Sequence, residues 1–200
     1  MRWRICSSGV TALSIARRYS DAMRQRQTLP QLWLISDQRN QHVIEPALRS
    51  LRVPAGFVFR DYHLSPHERA KRFAGLQRIC RQKGHVAIVS ADRATARRMG
   101  ADGVYGAPLA LGLRRNRMVT IATAHSLREI AQANRMGADA IMLSAVFPTR
   151  SHPGGRTLGP LRFRLMACRA AAPVIALGGM NPHTARRLKW NRWAAIDGLS

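Results

Sequence analysis

Short apolar runs and helix-forming stretches alternate in this chain from residue 32 onward, and that alternation restricts the fold more than any other feature. Leu32–Ser36, Gly56–Arg60, Val86–Ala91, Gly103–Gly106, Val119–Ala124, Ala140–Leu143, Val174–Leu177 and Trp193–Asp197 read as strands. The clearest, Ala140–Leu143 and Val174–Leu177, have the length and flanking breakers of strands buried on both faces. Between the strands lie helix signals. Ser65-Pro66-His67-Glu68 is a capping box with proline at the first helical position, opening a helix to about Gln82. Ser126 with Glu129 is a second box whose helix ends near Gly137, and Asn181-Pro182 opens another. Thr95–Met99 predicts a short helix, Arg162–Ala171 a longer one, and Pro46–Leu51 at most a turn or two; the stretch after Gly106 has almost no helix signal. Strict alternation predicts a parallel α/β fold, and right-handed crossovers let such units close into a (βα)8 TIM barrel. An open doubly wound sheet is the alternative, but the chain lacks the G-x-G-x-x-G first turn of that class.

Two hundred residues are lean for eight such units. Leu13, Ile15, Ala16, Tyr19 and Met23 keep helical spacing over 11–27, and Leu29-Pro30 stops it. The expected organisation is therefore an N-terminal helical extension over 1–30 and a single barrel over 31–200. No final helix follows the last strand, and the N-terminal helix covers the apolar surface that helix would have covered. No apolar run approaches a membrane span. The basic, serine-bearing start is broken by Ser and Thr and does not read as a secretory signal, so a cytoplasmic location is expected. Cys6, Cys80 and Cys168 are odd in number and lack a C-x-x-C, which indicates neither disulfides nor zinc.

The net charge of +23 comes from 33 basic against 10 acidic residues. Such a charge normally points to a polyanion. Here the arginines are scattered along the whole chain, few aromatics interleave with them, and no nucleic-acid-binding motif occurs. The expected partners are phosphorylated small molecules, which this field would draw, and not nucleic acid. The oligomeric state is left open.

Two loops carry the chemistry. After Ala140–Leu143 come Thr149, Ser151, His152 and Gly154-Gly155; after Val174–Leu177 comes Gly178-Gly179. In a parallel barrel the loops after the strands form the active-site rim, and the later turns commonly hold a phosphate. A Gly-Gly turn presents unobstructed N–H groups to an anion.

The run I-M-L-S-A-V-F-P-T-R-S-H-P-G-G-R-T-L-G followed by P-V-I-A-L-G-G-M resembles the thiamine phosphate synthase family and its TenI-type thiazole tautomerase relatives. The resemblance is strong over Ile121–Met180 and fair over Gln31–Ala107. It implies a TIM barrel joining a hydroxymethylpyrimidine pyrophosphate to a thiazole phosphate, with Mg2+ and release of pyrophosphate. It further implies that Thr149, Ser151, Gly178, Gly179 and the amide of Gly198 meet the thiazole phosphate. Arg60 would remain from a Q-x-R-x-K pyrophosphate motif in which Val58 and Tyr62 replace the glutamine and lysine. Thr123 would face the pyrimidine or its leaving pyrophosphate. His152, where synthases carry lysine, is more like the tautomerase branch, in which a histidine shuttles a proton. Asp92 is either a Mg2+ ligand, by a one-residue slip against the family's Asn-Asp, or a helix N-cap. The family's second metal carboxylate has no counterpart in V-Y-G-A-P-L-A-L. Asp197 stands in place of a serine and would oppose a phosphate unless an arginine meets it. Three functions stay open: a synthase with an unusual metal arrangement, a tautomerase-like isomerase using His152, and a non-catalytic phosphate-binding barrel.

Overall fold

Eight parallel strands close on themselves in chain order: β1 (Leu32–Ile35), β2 (Gly56–Phe59), β3 (Val86–Val89), β4 (Gly103–Gly106), β5 (Val119–Ala124), β6 (Ala140–Leu143), β7 (Val174–Ala176) and β8 (Trp193–Ala195). β8 returns to β1 in the register Leu32↔Trp193, Trp33↔Ala194, Leu34↔Ala195, which completes the barrel. The computed structural model describes residues 29–113, 118–151 and 154–197. The helix expected over 11–27, His152 and Gly198 lie outside the described residues.

Among the described residues seven α-helices lie between the strands: α1 (Ile44–Ser50), α2 (Pro66–Lys83), α3 (Arg93–Arg98), α4 (Pro108–Leu111), α5 (Leu127–Met136), α6 (Gly159–Ala167) and α7 (Pro182–Leu188). Among the described residues none is long and apolar enough to cross a membrane. The capping box at Ser65 forms in both directions, and Gly84 ends α2 in a left-handed conformation. The second box is displaced by one residue. Ser126 accepts from the Glu129 N–H, and the Glu129 carboxylate accepts from the N–H of His125, one residue ahead of the cap. Helix α6 begins at Gly159, three residues ahead of the expected start, because Pro160 fits a first turn. The stretch after Gly106 makes the one-turn helix α4, again with proline at its start.

Alternation along each strand divides the core in two. Trp33, Ile35, Val58, Ile88, Tyr105, Ile121, Met142, Ile175 and Ala194 fill the barrel interior. Their neighbours, among them Phe57, Phe59, Val89, Val104, Ile141 and Ala176, face outward onto Phe73, Ile130, Phe163 and Leu188 of the helices. Trp33 sets the packing at one level. Its indole N–H donates to the Pro30 carbonyl at 2.9 Å, and a Cβ on Gly56 would lie 2.2 Å from its ring. Glycine on β2 is thus the space the indole occupies.

Candidate active site

Seven of the eight inward-facing series extend to the same end of the barrel. Arg60, Ser90, Ala107, Thr123, Ser144, Leu177 and Ile196 stand two residues beyond Val58, Ile88, Tyr105, Ile121, Met142, Ile175 and Ala194, and all seven line one cavity. It measures about 700 Å³ and opens at the C-terminal ends of the strands, where barrels of this class carry their sites. Tyr105 contributes to its wall from β4, and Tyr62, His125, Gly155–Leu158 and Arg162 contribute from the loops and α6.

Arg60 reaches the cavity from the end of β2. Its backbone N–H donates to Ser36 Oγ at 2.8 Å, and its guanidinium stands 5.8 Å from the centre of the Tyr62 ring. The pairing of Arg60 with the adjacent Asp61 that a strand-end arginine invites does not occur. Asp61 is fully buried and accepts from Arg72 Nε at 2.8 Å, while the Arg60 guanidinium lies 3.9 Å from Asp37. Burial raises the pKa of the Tyr105 hydroxyl, and the positive charge of Arg60 opposes that rise. Of the other two positions in the motif, Val58 is buried in the barrel interior and Tyr62 is an exposed aromatic platform at the mouth, its hydroxyl bonded to that of Ser90.

The β6 and β7 turns face this arginine side. Thr149 and Gly178 border both the main cavity and a smaller adjoining hollow of about 230 Å³, whose wall also includes Gly179, Arg150 and Asp197. Ser151 lies on the main cavity and Gly179 on the hollow, so the four expected phosphate residues among those described border two adjoining spaces. Two backbone bonds sew the turns together: Val146 N–H to Leu177 O at 2.9 Å and Phe147 N–H to Gly178 O at 3.0 Å. Both glycines have positive φ, 94° and 62°. A Cβ on Gly178 would lie 2.7 Å from Ala145 Cα, and one on Gly179 would lie 2.4 Å from the Pro148 carbonyl oxygen. Glycine here is demanded by the packing of the two turns as well as by any ligand. The pair does not itself open α7. That helix starts at Pro182, and the Thr184 N–H donates to Asn181 Oδ1 at 2.9 Å.

Arg39, unremarked in the sequence, organises the same rim. From the short 3-10 turn Gln38–Asn40 its Nη2 donates to Ser151 Oγ at 2.7 Å, its Nε to Asp37 at 2.8 Å, and its Nη1 lies 3.4 Å from Asp197. Arg150 Nε stands 3.9 Å from the same Asp197 oxygen. The repulsion expected between Asp197 and a bound phosphate is therefore countered by two guanidinium groups. The Arg39 hydrogen bond holds the Asp37 pKa below the usual carboxylate value despite partial burial.

Thr123 lines the cavity from the end of β5. His125 is on the lip, 62% exposed, with Nδ1 3.5 Å from Glu129. Of the two roles open to Asp92, the structure shows the helix cap. Asp92 lies off the cavity wall and caps α3, accepting from the Ala94 and Thr95 N–H groups at 2.9 and 3.0 Å and from Thr95 Oγ1 at 2.6 Å. These bonds, that from Thr95 Oγ1 first, lower its pKa. A hard divalent cation such as Mg2+ asks for carboxylate oxygens. Among the described residues the cavity wall offers none, and no group of three or more His, Cys, Asp or Glu could hold a metal. The donor set does not fit Mg2+.

A closed parallel barrel whose cavity opens at the C-terminal ends of its strands defines a TIM barrel of the enzyme-like kind. The chain belongs to the thiamine monophosphate synthase family, whose profile matches residues 32–198. A thiamine-phosphate synthase of Alcanivorax borkumensis is 28% identical over 157 residues, covering 74% of this chain and 72% of the relative. One of Geobacillus thermodenitrificans is 29% identical over 199 residues, covering 93% and 87%. Among solved structures, the thiamine phosphate pyrophosphorylase of Pyrococcus furiosus superposes with a TM-score of 0.70 at 25% identity, covering 86% of this chain and 87% of that one.

Proposed function

We propose that the chain is a transferase of the thiamine-phosphate synthase type, joining a hydroxymethylpyrimidine pyrophosphate to a thiazole phosphate. The observation that carries this reading is a single cavity with two differently built anion-suited sides. Arg60 stands on one, and the Thr149, Ser151 and Gly178 rim on the other. The reaction breaks the C–O bond between the pyrimidine methylene and the pyrophosphate, whose oxygen keeps the electron pair. The thiazole nitrogen lone pair makes the new C–N bond. No proton moves, so the site needs alignment and charge stabilisation more than an acid or base.

In this reading the hydroxyls of Thr149 and Ser151 and the amides of the Gly178-Gly179 turn hold the monoester phosphate. Arg60 receives the leaving diphosphate, with the Thr123 hydroxyl beside it. Leu177, Ile196 and Leu158 supply the apolar wall for the rings. The isomerase alternative rests on His152, outside the described residues, and no cavity feature favours it. Incubation with both phosphorylated halves should yield thiamine phosphate and pyrophosphate in equal amounts. If both ligands bind and no product forms, the proposal is wrong.

A further inference from the structure

Resting on that transferase reading, we infer that arginines take the charge-neutralising place of the divalent cation, so that the diphosphate is bound and released without metal. The observation is the composition of the cavity wall. Arg60, Arg156 and Arg162 all line it, and no Asp or Glu does among the described residues. Arg60 is partly countered by Asp37 at 3.9 Å. Arg156, on the β6 loop, and Arg162, on the first turns of α6, have no ion-pair or hydrogen-bond partner among the described residues. Arginines without a carboxylate partner around the mouth of one cavity repel one another and raise the local positive potential until an anion enters. A guanidinium meets phosphate oxygens in a bidentate fork, keeps its charge at any working pH, and brings its own donors to the oxygen where charge develops. As the C–O bond breaks, the electron pair stays on the diphosphate oxygen. The growing negative charge is then met by Arg60, Arg156 and Arg162 in the way a metal would otherwise meet it.

Calorimetry with inorganic pyrophosphate in EDTA-containing buffer tests this, using the full chain and an Arg156→Ala/Arg162→Ala variant whose melting temperature is checked. Wild type should bind without metal, with a Kd that saturating Mg2+ changes by less than about twofold. The double variant should bind about a hundredfold or more weakly, roughly tenfold for each lost charge-assisted contact. Heat of binding that appears only after Mg2+ is added would overturn the inference, as would a folded double variant of unchanged affinity. Product assays in the same EDTA buffer separate the two readings. Metal-free pyrophosphate binding with no product either in EDTA or with saturating Mg2+ keeps the arginine site and overturns the transferase reading instead. Product that forms only with Mg2+ overturns the arginine substitution alone.

Discussion

Arg39 Nη2 donates to Ser151 Oγ at 2.7 Å across 112 positions of sequence, tying the turn after β1 to the loop after β6. The same guanidinium engages Asp37 and Asp197, so one side chain fixes three loops of the rim. Removing it should loosen Ser151 and expose Asp197 to any bound phosphate. Arg39→Ala is expected to weaken thiazole-phosphate binding about tenfold or more, the effect of one charge-assisted bond and one uncovered carboxylate. It should change pyrophosphate affinity little. Parallel titrations of the two ligands check this, and equal losses for both would point to general unfolding of the rim.

Thr149→Val removes a hydroxyl at nearly constant shape and should also weaken thiazole-phosphate binding about tenfold. Arg60→Ala should leave that binding largely intact, since Arg60 stands on the other side of the cavity. Isothermal titration of the two variants distinguishes the sides. The reverse ranking would mean that the two sides have been assigned the wrong way round.

Substitution at Gly179 acts on the fold before it acts on a ligand. Its φ of 62° and a 2.4 Å approach to the Pro148 carbonyl leave no room for a Cβ. Gly179→Ala should lose at least about 1–2 kcal/mol from the left-handed backbone alone, with the steric contact in addition. A thermal melt of the ligand-free protein measures it, and an unchanged midpoint would show that the turn has another conformation in solution.

Asp92 supplies a clean control for the metal question. Asparagine caps a helix about as well as aspartate, whereas Asp92→Ala should cost roughly 0.5–2 kcal/mol of stability. Asp92→Asn is therefore expected to leave both the melting midpoint and any metal response of turnover where they were. Loss of activity that high Mg2+ restores would return Asp92 to the role of a ligand.

The rim should respond to acid in one direction. The Arg39 hydrogen bond lowers the Asp37 pKa in the folded chain. The stabilisation is then fully present above the unfolded carboxylate value of about 3.9 and is lost as pH falls through the lower folded value. With Arg39 and Asp37 37% and 20% exposed, solvent screening keeps it to about 1 kcal/mol or less. Asp37→Asn should remove this acid-sensitive component and lower stability by up to that amount at neutral pH, with the deficit constant from neutral pH to pH 9 and shrinking in acid, which denaturant midpoints across the range report.

The barrel was readable because its strands are buried on both faces, and continuous apolar runs such as Ala140–Leu143 and Val119–Ala124 leave little doubt about their ends. Helix ends were harder. Gly159-Pro160 starts α6 before its apolar pattern begins, and the single turn α4 has no pattern to detect. At the site, Thr149, Ser151 and the Gly178-Gly179 turn announced themselves through residue types that expose hydroxyls and amides. Asp92 could not be resolved, because a strand-end carboxylate suits a metal and an N-cap equally. Arg39, Arg156 and Arg162 gave no signal among 33 basic residues, since only the closed barrel brings them to one rim. Strand parity extended by one step, from Val58 to Arg60 and from Met142 to Ser144, is the rule that would have selected more of the wall.

The two backbone bonds from Val146 and Phe147 to the turn after β7 continue the β6–β7 ladder beyond both strands. Their amides should therefore exchange with deuterium on the slow timescale of the sheet. A rim held by ladder bonds surrenders little conformational entropy when an anion arrives, so affinity there comes from contacts formed and not from loops being frozen.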